Sequence, residues 1–277
     1  MTGSSNNIWN YDSAKRAFRP IDELRQVYLY RNLIAQLLVR DITTRYKRSF
    51  LGIAWTMINP LGTMLVLSIA FSRMFGATKG YPAYVLSGYL VWTFFSQTTT
   101  ASIINLVWGG GLLQRVYMPR TSFALAAAGT GLVNLLLALV PLIIVELLNG
   151  VTIQWTIIYL PLSILLLAFF SLGFGLLLSS FAVYFPDIAE MFQIILNAWF
   201  YLTPIVYPES ILPATTRYWI FEFNPMYRLV KLFRMPIYDG IAPTWQDIWP
   251  ILAISVAMLL VGWIFFSIKS DEFAYRI

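Results

Sequence analysis

Three groups of side chains could do chemistry. Nine of the nineteen Lys and Arg residues precede Phe50: Lys15, Arg16, Arg19, Arg25, Arg31, Arg40, Arg45, Lys47 and Arg48. Beside a membrane such cations attract anionic headgroups, each by about 1 kcal/mol. A second group lies in "MFQIILNAWFYLTPIVYP" (191–208), where Phe192, Gln193, Asn197 and Trp199 recur at helical spacing. Aromatic faces with amide neighbours stack sugar rings and bond their hydroxyls, although the same spacing also suits ordinary helix packing. Acidic residues supply the third group, with Asp22-Glu23 and Asp271-Glu272 as its adjacent pairs. A membrane-embedded transferase acting on lipid-linked sugars needs such carboxylates as metal ligands or base, but both pairs read as solvated chain ends. Cysteine and histidine are absent, which removes thiolate and imidazole chemistry and any disulfide framework.

The elements that position these residues follow from composition. Of 277 residues 58% are hydrophobic and 12% charged, and the mean hydropathy is +0.68, so lipid is the solvent for most of the chain. Crossing a hydrocarbon core of about 30 Å takes roughly 20 apolar residues as helix. Six stretches qualify: 51–72, 83–107, 121–145, 156–182, 188–207 and 248–268. A β-barrel would alternate polar and apolar residues, and "LSILLLAFFSLGFGLLLSS" does not. The expected fold is an all-α integral membrane protein with six transmembrane helices. With the N-terminus cytoplasmic, thirteen of the nineteen basic residues lie inside and six outside, as the positive-inside rule favours. Both termini are then cytoplasmic. The start "MTGSSNNIWNYDSAKR" lacks the apolar core of a secretory signal. The pI near 9.5 raises a nucleic-acid partner, but the cations cluster at a membrane boundary and membrane lipids explain them better.

Residues 1–30 form a cytoplasmic segment, 31–50 an interfacial helix, 51–268 the six-span domain and 269–277 a cytoplasmic tail. Ala35, Leu38, Val39, Ile42 and Tyr46 fall on one face of the interfacial helix, opposite Gln36, Arg40, Thr43 and Lys47. That helix either anchors the first span or docks a partner. Between spans two and three, Gly109 to Gly111 end a helix, Leu112 to Tyr117 can form a short one, and Pro119 stops it. "YFPDIAE" is a tight turn with Asp187 as N-cap of the next helix. The long segment from Pro204 to Gln246 reads as two short amphipathic helices on the outer face, with Asn224-Pro225 starting the second and the cations snorkelling to headgroups, or else as a simple cap. Within the spans, Asn59, Gln97, Asn105, Asn134, Glu146, Gln193 and Asn197 should face partner helices or a cavity. Trp92, Trp108, Trp155, Trp219, Trp245 and Trp249 read as interfacial belts. No acidic or histidine relay crosses the bilayer, which disfavours proton- or sodium-coupled transport.

"VRDITTRYKRSFLGIAWTMINPLGTMLVLSIAFSRMFG", "YVLSGYLVWTFFS", "LLQRVYMPR" and "NAWFYLTPIVYP" occur in this order, and the chain from about Leu24 resembles the permease subunits of ABC exporters for O-antigen, capsular polysaccharide and teichoic acid. The resemblance implies a homodimer in the bacterial inner membrane with two copies of an ATPase subunit. ATP and Mg belong to that partner: this chain has no G-x-x-x-x-G-K-S/T phosphate loop and no cofactor of its own is expected. By the resemblance, residues 31–48 and the loop holding Leu112, Gln114, Arg115, Tyr117, Pro119 and Arg120 contact the ATPase, together with the Asp187 turn. Arg31, Arg40, Lys47 and Arg48 would draw in the pyrophosphate of a lipid-linked glycan. Phe192, Gln193, Asn197, Trp199 and Tyr201 would line the glycan channel, and Arg217, Tyr218, Trp219, Tyr227, Arg228 and Phe233 the outer gate. The chain departs from the family pattern at Phe185-Pro186-Asp187, commonly Tyr-Arg-Asp, and at Pro119-Arg120-Thr121, commonly Pro-Arg-Glu. Asp187 and Arg120 are then left for local capping or a mutual pair. A membrane-embedded transferase or an ATP-independent flippase is the alternative.

Overall fold

A computed structural model describes residues 19–47, 49–107, 119–152 and 154–273. Expectations at 1–18, at Arg48 and at 108–118 lie outside the described residues, and with them Trp108, Leu112, Gln114, Arg115 and Tyr117. The described residues form helices and connecting turns without a strand. In chain order these are α1 (Arg19–Leu29), α2 (Arg31–Tyr46), α3 (Trp55–Phe75), α4 (Tyr81–Val107), α5 (Thr121–Leu148), α6 (Leu160–Tyr184), α7 (Ile188–Leu202), α8 (Ala214–Phe223), α9 (Pro225–Arg234) and α10 (Trp245–Phe273).

Four helical stretches are long and apolar enough to cross a membrane: Gly52–Phe75, Thr121–Leu148, Trp155–Tyr184 and Trp245–Ser270. Two of the six expected spans differ in kind. Helix α4 has ample length at 27 residues but carries Ser87, Ser96, Gln97, Thr98, Thr99, Thr100 and Ser102. It tolerates them because α3, α5, α6, α7 and α9 surround it and because the hydroxyls return to the helix backbone. Thr99 Oγ1 donates to the Phe95 carbonyl at 2.7 Å and Ser102 Oγ to that of Thr98 at 2.7 Å. Helix α7 has only 15 residues, because Thr203 turns extended and Pro204 follows.

Small residues set the helix spacing around α4, as they do between membrane helices generally. Gly131 of α5 faces Thr98, and Gly175 of α6 faces Ser102 and the Thr99 backbone. Gly173 of α6 and Gly262 of α10 touch backbone to backbone, leaving no room for a Cβ on either. Helix α5 ends in a Schellman motif, with Gly150 at φ +72° and the Val151 N–H on the Glu146 carbonyl at 2.9 Å.

The two ends of α4 are built differently. At its C-terminal end Leu106 packs with Ala124, Leu176, Val183, Phe266 and Phe273. Helix α1 straps this end, since Trp263 Nε1 donates to the Pro20 carbonyl at 3.2 Å and Thr121 Oγ1 to Glu23 at 3.0 Å. One sequence expectation changes here: Glu23 is a buried hydrogen-bond acceptor rather than part of a solvated chain end. Helix α2 stops at Tyr46 rather than 50, and it buries Leu37 against Phe123 and Ala126 while Ala35 and Val39 stay exposed. Its covered stripe is set by α5, where Gly129 admits the Leu38 side chain.

The Gly173–Gly262 contact generates a test. Gly262→Ala must push α6 and α10 apart, and overpacking of this kind costs about 1–3 kcal/mol. Thermal unfolding of the purified protein in detergent should show a lower midpoint for Gly262→Ala and an unchanged one for Gly62→Ala, whose added methyl meets open space.

Candidate functional site

At the N-terminal end of α4 the chain breaks and must be rebuilt. Residues 203–207 follow α7 in non-helical geometry, so their carbonyls lack helical donors, and an unpaired buried carbonyl costs about 1–3 kcal/mol. Arg234, at the end of α9 and 5% exposed, supplies most of the answer. Its Nη1 donates to the Pro204 carbonyl at 2.7 Å and its Nη2 to those of Ile205 and Tyr84, both at 3.0 Å, while Nε reaches Ser87 Oγ at 3.3 Å. The guanidinium carbon lies 3.7 Å from the Tyr84 ring centroid. Tyr84 and Tyr81 complete the set, donating to the Tyr207 carbonyl at 3.0 Å and to the Val206 carbonyl at 2.8 Å. Gly88 makes room, because any Cβ there would collide with the Arg234 guanidinium. The expected snorkelling of the outer cations does not hold for Arg234, whose head points into the protein.

Asn224 joins the same region to α8 and α9. Its Oδ1 accepts from the Met226 and Tyr227 amides at 3.0 and 3.3 Å, the expected N-cap, and also from Trp199 Nε1 at 2.9 Å. Its amide nitrogen donates to Thr203 Oγ1 at 3.0 Å. Helix α9 is enclosed on nearly every side, with Met226, Tyr227, Leu229, Val230, Leu232, Phe233 and Arg234 all buried, whereas α8 buries none of its residues. Of the six residues assigned to the outer gate, Tyr218 and Trp219 are exposed on α8. Tyr227 stacks on Phe221 at 4.1 Å and Phe233 lies in the core. Arg228 bonds Glu222 and the Phe221 carbonyl, and Arg217 braces the carbonyls of Ser210 and Leu212 at 3.2 and 3.4 Å.

The five residues assigned to the glycan channel separate onto two faces of α7. Phe192 and Trp199 point inward, where Trp199 lies 5.4 Å from Phe95 and 5.9 Å from Phe174, and Phe174 lies 6.0 Å from Phe192. Trp92 joins this cluster at 6.3 Å from Trp199 and is buried, not interfacial as its position along the chain suggested. Trp155, Trp219, Trp245 and Trp249 are exposed. Gln193, Asn197 and Tyr201, spaced four residues apart, form an exposed stripe, and Gln193 Nε2 donates to Thr100 Oγ1 at 3.0 Å.

The cations of α2 do not converge. Sixteen residues at about 1.5 Å each separate Arg31 from Lys47 by roughly 24 Å along the helix, too far for one pyrophosphate. Arg31 lies over the Tyr28 ring, Lys47 is exposed, and Arg40 is held by Asp41 through Nε at 3.1 Å and Nη2 at 2.8 Å. Of the positions assigned by resemblance to ATPase contact, Pro119 is buried and Arg120 half-buried beside the start of α5. Asp187 occupies the N-cap position of α7, but its backbone is already helical (φ −61°, ψ −18°) and its side chain forms no cap bond. It makes no ion pair among the described residues either, so the pairing with Arg120 is not formed.

Residues 32–238 match the family model described as ABC-2 type transporter, about three-quarters of the chain. The chain belongs to that family. This ABC-2 transporter chain is 28% identical over 256 residues to the O-antigen export system permease protein RfbA of Myxococcus xanthus, covering 92% of this chain and 98% of the relative. It is 26% identical over 247 residues to the capsule polysaccharide export inner-membrane protein CtrC of Neisseria meningitidis, covering 86% and 91%. The polysialic acid transport protein KpsM of Escherichia coli is 24% identical over 212 residues, covering 75% and 81%. The match begins in α2 and ends in the turn after Arg234, so the whole rebuilt segment lies within the ABC-2 region.

Sequence reasoning missed Arg234, Tyr84 and Gly88. The available signal was a broken apolar stretch at Thr203-Pro204, whose carbonyls demanded a buried donor. Arg234→Met should lower unfolding stability in detergent by at least about 3 kcal/mol, since three carbonyls lose their donor. Arg234→Lys should retain part of it, because a single ammonium cannot reach all four acceptors. Asn224→Ala should cost about 1 kcal/mol as a lost N-cap, together with a change in Trp199 fluorescence.

Proposed function

We propose that this chain is the transmembrane subunit of an ATP-driven exporter that moves a lipid-linked polysaccharide from the cytoplasmic to the outer face of a bacterial inner membrane. The observation that carries the proposal is its similarity along almost all of its length to an O-antigen export permease, with capsule export proteins similar over most of theirs. The chain has no phosphate-loop sequence, so ATP is bound by a separate subunit, two copies beneath a permease homodimer. The transferase alternative loses support because Glu23 is buried against Thr121, and Glu272 is bonded by Lys269 and Tyr184.

In this reading there are six spans, and both termini are cytoplasmic, as the charge distribution favours. Helix α4 is the second span, shielded by its neighbours, and α7 is the fifth. At about 1.5 Å per residue α7 reaches only ~22 Å, short of the ~30 Å core. Residues 203–207 complete the crossing because Arg234, Tyr84 and Tyr81 satisfy their carbonyls inside the protein, the condition for non-helical backbone at membrane depth. Helices α8 and α9 then lie at the outer end, and Gln193, Asn197 and Tyr201 form the face of α7 offered to passing glycan. The α2 cations, spread along the inner surface, attract anionic headgroups one at a time.

Depletion of the protein in its native bacterium, followed by analysis of lipid-linked glycan on the two membrane faces, tests this directly. Accumulation of glycan on the inner face is expected, and undiminished outward delivery would refute the exporter assignment.

A further inference from the structure

A hollow of about 200 Å³ opens where α8, α9 and the start of α10 come together. Phe221 and Tyr227, stacked 4.1 Å apart, form part of its lining. Arg228 and Lys231, three residues apart on one side of α9, bring cations to it, and Gln246 and Asp247 at the start of α10 bring acceptors. Opposite charges thus face one space, yet among the described residues no ion pair joins Lys231 or Arg228 to Asp247. Each side keeps bonding capacity in reserve. The Lys231 ammonium is exposed and makes no ion pair among the described residues. Arg228 spends Nε on the Phe221 carbonyl and Nη2 on Glu222, which leaves Nη1 for a further acceptor. Asp247 uses only Oδ2, which takes the Thr244 amide at 3.0 Å and the Thr244 hydroxyl and so caps α10.

The surroundings of the hollow set its depth. Trp219 and Phe223 of α8 stack 5.2 Å apart, Trp245 and Trp249 of α10 lie 6.1 Å apart, and all four rings are exposed. Exposed aromatic pairs on two helices that border the same hollow mark the headgroup level of a bilayer. A ligand that belongs at that level and carries both charges is a phospholipid whose phosphate is linked to an ammonium. We propose that this hollow binds the headgroup of an outer-leaflet phosphatidylethanolamine, with Lys231 and Arg228 on its phosphate and Asp247 and Gln246 on its primary ammonium. The ammonium is selected through its N–H groups: a choline head has none and leaves both acceptors unmet, and a glycerol head brings no cation to Asp247. From the export reading the proposal takes only that this end of the molecule is the outer one.

The test is native mass spectrometry of the full chain in detergent, titrated in turn with dioleoyl phosphatidylethanolamine, phosphatidylcholine and phosphatidylglycerol, counting lipid adducts. The ethanolamine lipid should half-saturate at a concentration about threefold to tenfold below the other two, the value of one net hydrogen bond. Asp247→Asn, which keeps an oxygen for the Thr244 amide, should erase that preference, and Lys231→Gln should weaken all three lipids by a similar factor. Choline or glycerol lipid binding as tightly as the ethanolamine lipid would overturn the proposal, as would a preference that survives Asp247→Asn. Soluble O-phosphoethanolamine at the same concentrations should not displace the lipid, and equal displacement would assign the hollow to a free phosphate ester instead. The comparison of the three lipids uses the unaltered chain, so it decides the matter even where a variant does not fold. The assay involves neither ATP nor export, so its failure leaves the exporter assignment standing, and failure of the depletion experiment leaves the lipid preference intact.

Discussion

A buried arginine that serves backbone rather than carboxylate holds this molecule together. Arg234 ends α9, yet its donors are spent on α4 and on the segment after α7. Three parts of the chain more than a hundred residues apart at the extreme are thereby fixed to one planar group. A guanidinium suits the task, because its fork of donors can reach several carbonyls at once while the Tyr84 face offsets part of the desolvation of the charge. Without it, the stretch 203–207 would have to become helix or leave the low-dielectric interior.

From that point order spreads in two directions. Asn224 couples the α9 N-terminus to Trp199, and Trp199 sits among Trp92, Phe95 and Phe174, so α7, α8 and α9 are tied to the central helix through rings and amides. Aromatic pairs of this kind add about 0.5–1.5 kcal/mol each beyond their buried area. The opposite end of α4 is secured differently, by an apolar cluster and by α1. Between the two ends the hydroxyl-bearing middle of α4 lines a crevice on one side while glycine contacts with α5 and α6 close other sides.

Much of this was legible in the chain. Runs of apolar residues located the long helices to within a few positions, and Asn224-Pro225 marked the start of α9 because cap chemistry is local. Asp187 holds the N-cap position expected of it, but a backbone already helical there leaves no cap bond for its side chain to make. Trp92 and Arg234 were misplaced because surface rules, aromatic belts and snorkelling, were applied to side chains whose surroundings come from distant parts of the sequence. The five channel residues of α7 were grouped by helical spacing and by resemblance, and the fold divides them, Phe192 and Trp199 facing inward and Gln193, Asn197 and Tyr201 outward. Gln97 and Asn134 were recognised as facing a partner or a cavity, but only the fold brings them to the same one.

The meeting of Gly173 and Gly262 bears on how the protein is made. Eighty-nine residues separate them in the sequence, so at about 5–20 residues per second α6 emerges from the ribosome roughly 4–18 s before its partner surface on α10 exists. Throughout that interval the groove at Gly173 is filled by lipid or by some transient occupant, which α10 must displace when it arrives. The α6–α10 contact is therefore a late one, formed at a time set by the pace of translation.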